Sequence, residues 1–123
     1  MKKIINTSKA PAPIGPYNQA VLIKDTLYIS GQIPIDPATG NLVEGDIKME
    51  TKQSMENLKA ILEEAGMTFE HVIKSSIFIA DMHQFAQVYG SYFDADTAPA
   101  RETVEVANLP KFVNVEISMI AVK

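Results

Sequence analysis

Apolar and polar positions alternate with a period of two through the last quarter of the chain, from Pro99 to Ile117. The stretch reads as two β-branched runs joined by a connector containing Pro110. Val104 and Val106 are expected on one face of the first run, with Arg101, Thr103 and Glu105 on the other. In the second run Val113, Val115, Ile117 and Met119 share a face, opposite Asn114, Glu116 and Ser118. Earlier in the chain, residues 2–5 predict a short edge strand, and residues 18–24 and 26–30 predict two strands joined by a hairpin turn at Lys24-Asp25. From Asp46 the period changes to that of a helix, with Ile47, Thr51, Met55, Leu58 and Leu62 on one side and Gly66 at its end. Residues 72–80 predict an inner strand. Asp81 with Gln84 suggests a capping box opening a second helix that aligns Phe85, Val88, Tyr89 and Tyr92. Strands interleaved with two helices make an α+β sandwich: a mixed or antiparallel sheet with both helices on one face. Apolar residues on the uncovered face would then favour self-association.

Turn chemistry marks the places where the backbone leaves these elements. Residues 11–17 hold three prolines and a glycine, which forbids a helix and predicts an ordered extended loop delivering Tyr17 to the next strand. Gly31, within Ser30-Gly31-Gln32-Ile33-Pro34, permits either a sharp bend or a close approach of the backbone to a ligand. Residues 36–40, Asp-Pro-Ala-Thr-Gly, predict a turn.

With 123 residues the chain is expected to form one domain, 1–123, with enough length to bury a core. The absence of cysteine removes disulfides, thiolate nucleophiles and cysteine-held metal centres, and is compatible with a reducing, cytoplasmic setting. The apolar run after Lys2-Lys3 is only Ile4-Ile5, too short for a signal peptide or a membrane span. A formal net charge of −4 with dispersed lysines disfavours nucleic acid as a partner. His71 and His83 are too far apart in sequence to predict a shared metal site. No metal is expected.

Arg101, Thr103 and Glu116 bring a guanidinium, a hydroxyl and a carboxylate to what the alternation presents as non-core faces. That set suffices for a carboxylate-binding site with a proton-handling group beside it. A half-exposed strand shows the same alternation for no functional reason, and pattern alone favours that plainer reading.

The motifs together resemble one family. Ile14-Gly15-Pro16-Tyr17, Ser30-Gly31-Gln32-Ile33-Pro34, Pro99-Ala100-Arg101, residues 104–110 and Val115-Glu116-Ile117 resemble, in order and across essentially the whole chain, the reactive intermediate deaminases, the Rid or YjgF-like family. The resemblance implies a chorismate-mutase-like fold, assembled as a homotrimer with clefts between subunits. It also implies hydrolysis of the enamine and imine intermediates released by pyridoxal-phosphate enzymes, 2-iminobutanoate and 2-iminopropanoate, to 2-oxo acids and ammonia. No cofactor is implied. Arg101 matches the residue that grips the substrate carboxylate, and Glu116 the one that activates water. Tyr17, Ser30, Gly31 and Thr103 match pocket positions, Tyr17 among those close to the chemistry. The chain departs from the family pattern at Glu102-Thr103, where a small residue and a cysteine are usual, and around Val88-Tyr89, where about three residues including a pocket asparagine are missing. These departures keep a second reading open, a non-catalytic trimeric module that binds small 2-oxo acids. Endoribonuclease activity, attributed to some relatives, is disfavoured by the acidic charge.

Overall fold

Six strands form one mixed sheet in the computed structural model, which describes residues 1–84 and 87–123. β1 (Lys2–Ile5), β2 (Ala20–Ile23) and β3 (Thr26–Gln32) make an antiparallel meander. Lys24 takes a φ of +52° at the predicted hairpin turn, the left-handed geometry that matches strand twist in a two-residue loop. β6 (Val115–Val122) lies between β3 and β4 (Val72–Ile79), antiparallel to both, while β5 (Ala100–Glu105) runs parallel to β4 at the sheet edge. The order across the sheet is β1-β2-β3-β6-β4-β5.

α1 (Ile47–Glu64) covers one face. Asp46 caps it by accepting from the Met49 amide at 3.1 Å, and Gly66 ends it with a φ of +73°. Met55, Leu58, Ile61 and Leu62 pack against Leu27, Ile29, Ile77, Ile79, Val115, Ile117 and Met119. The alternation in β6 is as expected, with Val115, Ile117, Met119 and Ala121 buried and the residues between them partly exposed. The second helical segment is realised, among the described residues, as 3₁₀ turns at Met82–Gln84 and Gln87–Tyr92. Phe85 lies outside the described residues. Asp81 opens the segment by accepting from the His83 amide at 2.9 Å; among the described residues no reciprocal bond from Gln84 closes a capping box. His71 has a local structural task, its Nδ1 accepting from the Thr68 amide at 2.9 Å.

Register corrects one expectation. β5 pairs Ser75 with Arg101 and Ile77 with Thr103, and both partners on β4 are buried beneath the helical layer. Arg101, Thr103 and Glu105 therefore sit on the helix side of the edge strand, whereas Glu116, paired with Phe78, belongs to the opposite face. The alternation within each run is as read. The assignment of faces between the runs is not, because β4 separates β5 from β6 and fixes each one's orientation independently.

The uncovered face is rich in apolar side chains. Ile4, Val21, Tyr28 and Ile120 align across four strands, with Tyr28 half exposed. Phe78 and Val104 continue the apolar surface across β4 and β5.

Candidate active site

A cleft of about 510 Å³ opens beside the end of β3, lined by Ile14, Tyr17, Ser30, Gly31, Ile33, Pro110, Lys111 and Glu116. Tyr17 arrives on the proline-rich loop, which Gln19 secures from beneath. The Gln19 side chain is buried and donates to the carbonyls of Thr7, Ala10 and Pro11 at 3.0, 3.2 and 2.9 Å, and accepts from the Thr7 amide at 2.6 Å. These bonds satisfy loop carbonyls that would otherwise be buried without partners. Ser30 is fixed by donating its hydroxyl to the Asn18 carbonyl at 2.7 Å.

A β-bulge between Ile29 and Gln32 shifts the pairing of β3 with β6 and brings the Gly31 backbone against the Glu116 side chain. A Cβ on Gly31 would stand 2.7 Å from Glu116 Oε2 and 2.8 Å from its Cδ. Of the two roles left open for this glycine, it makes a close approach, and the approach is to the candidate base rather than to a ligand. Gly31→Ala is expected to displace the carboxylate and cut turnover by roughly 10- to 100-fold, the scale for an ångström of misplacement. Steady-state kinetics with a parallel melting curve checks this, since the fold should be little affected.

Glu116 is half-buried, and desolvation pushes its carboxyl above the usual carboxylate pKa. Just before it in the chain, β6 is anchored by Glu50, a buried carboxylate on α1. Glu50 accepts from the Asn114 amide at 3.0 Å and from the Asn114 side chain at 2.6 Å, pinning the entry to β6. Asn57 similarly donates to the carbonyls of Ile33 and Ile35, at 3.3 and 3.0 Å, behind one cleft wall. Sequence reasoning missed Gln19, Glu50 and Asn57. For the two helical residues the signal was available, because Glu50, Ser54, Asn57 and Ile61 follow one another at helical spacing on the buried side.

Arg101 and Thr103 do not reach this cleft. Arg101 is exposed at the sheet edge with its guanidinium carbon 5.4 Å from the centroid of the Tyr89 ring. Thr103 Oγ1 is buried and has no hydrogen-bond partner among the described residues. Glu102 points away from Arg101, as strand alternation requires. It pairs with Lys74 at 2.9 Å and accepts from the Ser76 hydroxyl on the opposite face, and these partners, Ser76 first, hold its carboxyl below the usual range. It therefore does not compete for the guanidinium. The candidate residues therefore fall into two groups on opposite faces of the sheet: Tyr17, Ser30, Gly31 and Glu116 in the cleft, Arg101 and Thr103 at the edge.

Comparison with known proteins places this geometry. The family model described as Endoribonuclease L-PSP matches residues 7–123. The chain belongs to the Rid (YjgF, L-PSP) family. Among Rid-family relatives, a RutC family protein of Pyrococcus horikoshii is 52% identical, over 100% of this chain and 99% of the relative. The Bos taurus protein named 2-iminobutanoate/2-iminopropanoate deaminase is 48% identical over 100% of this chain and 91% of its own. The crystal structure of Escherichia coli TdcF with bound serine superposes with a TM-score of 0.92 at 44% identity, covering 98% of each chain. The α+β fold of the Rid family is the fold seen here.

Proposed function

We propose that this chain is a 2-iminobutanoate/2-iminopropanoate deaminase, hydrolysing imines and enamines released by pyridoxal-phosphate enzymes to 2-oxo acids and ammonia in the cytoplasm. The observation that carries the reading is the Glu116 carboxylate, desolvated yet facing a cleft with Tyr17, Ser30 and the Gly31 backbone. Identity of 48% to a relative named for this activity supports it, as does the serine bound by TdcF, an amino acid close in size to the proposed substrates.

In this reading the enamine first tautomerises to the imine, and Arg101 grips its carboxylate through a bidentate fork. Water adds to the carbon of the protonated imine while Glu116 takes a proton from it, giving a neutral carbinolamine. Glu116 returns that proton to nitrogen, the C–N bond breaks, and the departing ammonia takes the hydroxyl proton as the carbonyl forms, leaving as ammonium. A raised carboxyl pKa suits both halves of this exchange, because the group must accept a proton and then release it near neutral pH.

Arg101 and Glu116 lie on opposite faces of one sheet, so a working site draws them from different subunits. The homotrimer supplies that arrangement, with the apolar open faces turned inward and the β5 edge of one subunit closing the cleft of the next. Light scattering is expected to give the mass of three chains; a monomer at micromolar concentration would remove the composite site.

The direct test generates 2-iminobutanoate in situ with a threonine dehydratase and follows 2-oxobutanoate release with and without this protein. Acceleration over spontaneous hydrolysis supports the deaminase. Binding of 2-oxobutanoate with no acceleration would favour the non-catalytic binding module.

A further inference from the structure

Arg101 is the only arginine in the sequence, and the structure gives it a built seat. Parallel pairing places Ser75 of β4 directly beside Arg101 of β5 on the helix side of the sheet. Tyr89, from the 3₁₀ segment Gln87–Tyr92, lies over both. Its hydroxyl donates to Ser75 Oγ at 2.9 Å, and its ring faces the guanidinium carbon at 5.4 Å. Ser75 is 0% exposed and Tyr89 5%, so both ends of this bridge are anchored in the core. Phe93 packs against the same ring with centroids 5.0 Å apart, which further fixes its plane.

We infer that Tyr89 is a positioning residue for substrate recognition, a platform whose pinned ring sets the plane of the Arg101 guanidinium so that its N–H edge meets the substrate carboxylate. This rests on the proposed deaminase reading for the role of Arg101. The physical case is one of division of labour. Where a guanidinium meets a ring by its face, its planar N–H edge stays open to a carboxylate, so such a contact orients the fork without occupying it. Ordering a long side chain such as arginine before the substrate arrives removes a cost that binding would otherwise have to meet. The hydroxyl matters through the ring. Hydrogen-bonded to Ser75, it holds Tyr89 across the two strands, and the phenol stays protonated because burial raises its pKa despite the Ser75 bond and the Arg101 charge.

The test separates platform from mere packing. Tyr89→Leu removes the ring, with Tyr89→Met as the closer volume match should the leucine variant not fold. Tyr89→Phe keeps the ring and deletes the hydroxyl. A single arginine gives a single side-chain Nε–H signal in nitrogen-15 spectra of the full chain, and a ring stacked on the guanidinium displaces it from its random-coil position. The platform predicts that this displacement disappears in Tyr89→Leu or Tyr89→Met. In the same variants the Kd for 2-oxobutanoate and the KM for 2-iminobutanoate rise about tenfold with kcat changed little, as expected when uniform binding is lost. Tyr89→Phe should recover most of the signal displacement and the affinity, although it melts at a lower temperature because the Ser75 hydroxyl is left buried without its partner. A folded ringless variant that keeps either the displacement or the affinity overturns the inference, and so does equal loss of affinity in Tyr89→Phe. If the wild type accelerates no imine hydrolysis, the deaminase reading falls. The arginine signal alone then decides whether Tyr89 orients Arg101.

Discussion

Arg101→Ala is expected to lose 2-oxo acid binding and imine turnover together, each by roughly two to three orders of magnitude, the scale of two charge-assisted hydrogen bonds. No second arginine exists in the chain to substitute for it. Arg101→Lys should recover little, since an ammonium is a point charge and cannot match both carboxylate oxygens with a planar fork. Calorimetry with 2-oxobutanoate and the dehydratase-coupled assay measure the two losses separately. Loss of turnover with binding intact would assign Arg101 to chemistry instead of recognition. Because Arg101 stands at an exposed edge, the variant should fold and assemble normally.

Glu116→Gln should behave differently, losing turnover by roughly two to four orders of magnitude while 2-oxo acid binding is kept or slightly tightened. Glutamine preserves size and an acceptor oxygen but cannot take the proton of the attacking water. The pH dependence follows from the direction of the shift. Burial raises the folded-state pKa of Glu116 above its ordinary 4.5, so the acid limb of kcat/KM should lie above that value and be missing from whatever activity the variant retains. The same shift favours the protonated form in the fold. Its contribution to stability is therefore fully present below the unfolded pKa and is lost as pH rises through the folded one. Glu116→Gln, neutral throughout, should consequently melt above wild type at about pH 7, with the gap closing at about pH 4. Thermal unfolding at those two conditions checks the sign.

The sequence made some parts of this molecule readable because a single local rule governed them. Helical periodicity after Asp46 located α1, the Lys24-Asp25 dipeptide located the hairpin, and strict alternation located the core face of β6. For Gly31 the sequence left a sharp bend and a close approach open; the structure shows a close approach, to the Glu116 carboxylate. The relation between Arg101 and Glu116 was not readable. Both alternate correctly within their strands, but the side each faces is set by pairing with β4, some 25 to 40 residues away in sequence, and β5 runs parallel to that strand while β6 runs against it. Gln19, Glu50 and Asn57 escaped for another reason. Polar residues at inward positions resemble breaks in an apolar face until the loop carbonyls and amides that they satisfy are seen. The second helical segment reads as a continuous amphipathic helix, yet its described residues wind as 3₁₀ turns around Gly90, and it is this segment that sets Tyr89 against Arg101.

Complementation between the two inactive variants tests the central claim most directly. Arg101→Ala and Glu116→Gln chains are unfolded together in equal amounts, refolded, and assayed for 2-oxobutanoate release from 2-iminobutanoate. In a mixed trimer one cleft in three combines an intact Arg101 with an intact Glu116 from neighbouring subunits. Random mixing should therefore restore roughly a quarter of wild-type activity, while each variant refolded alone stays inactive. Mixed samples no more active than the separate variants, alongside an active refolded wild type, would contradict a site shared between subunits.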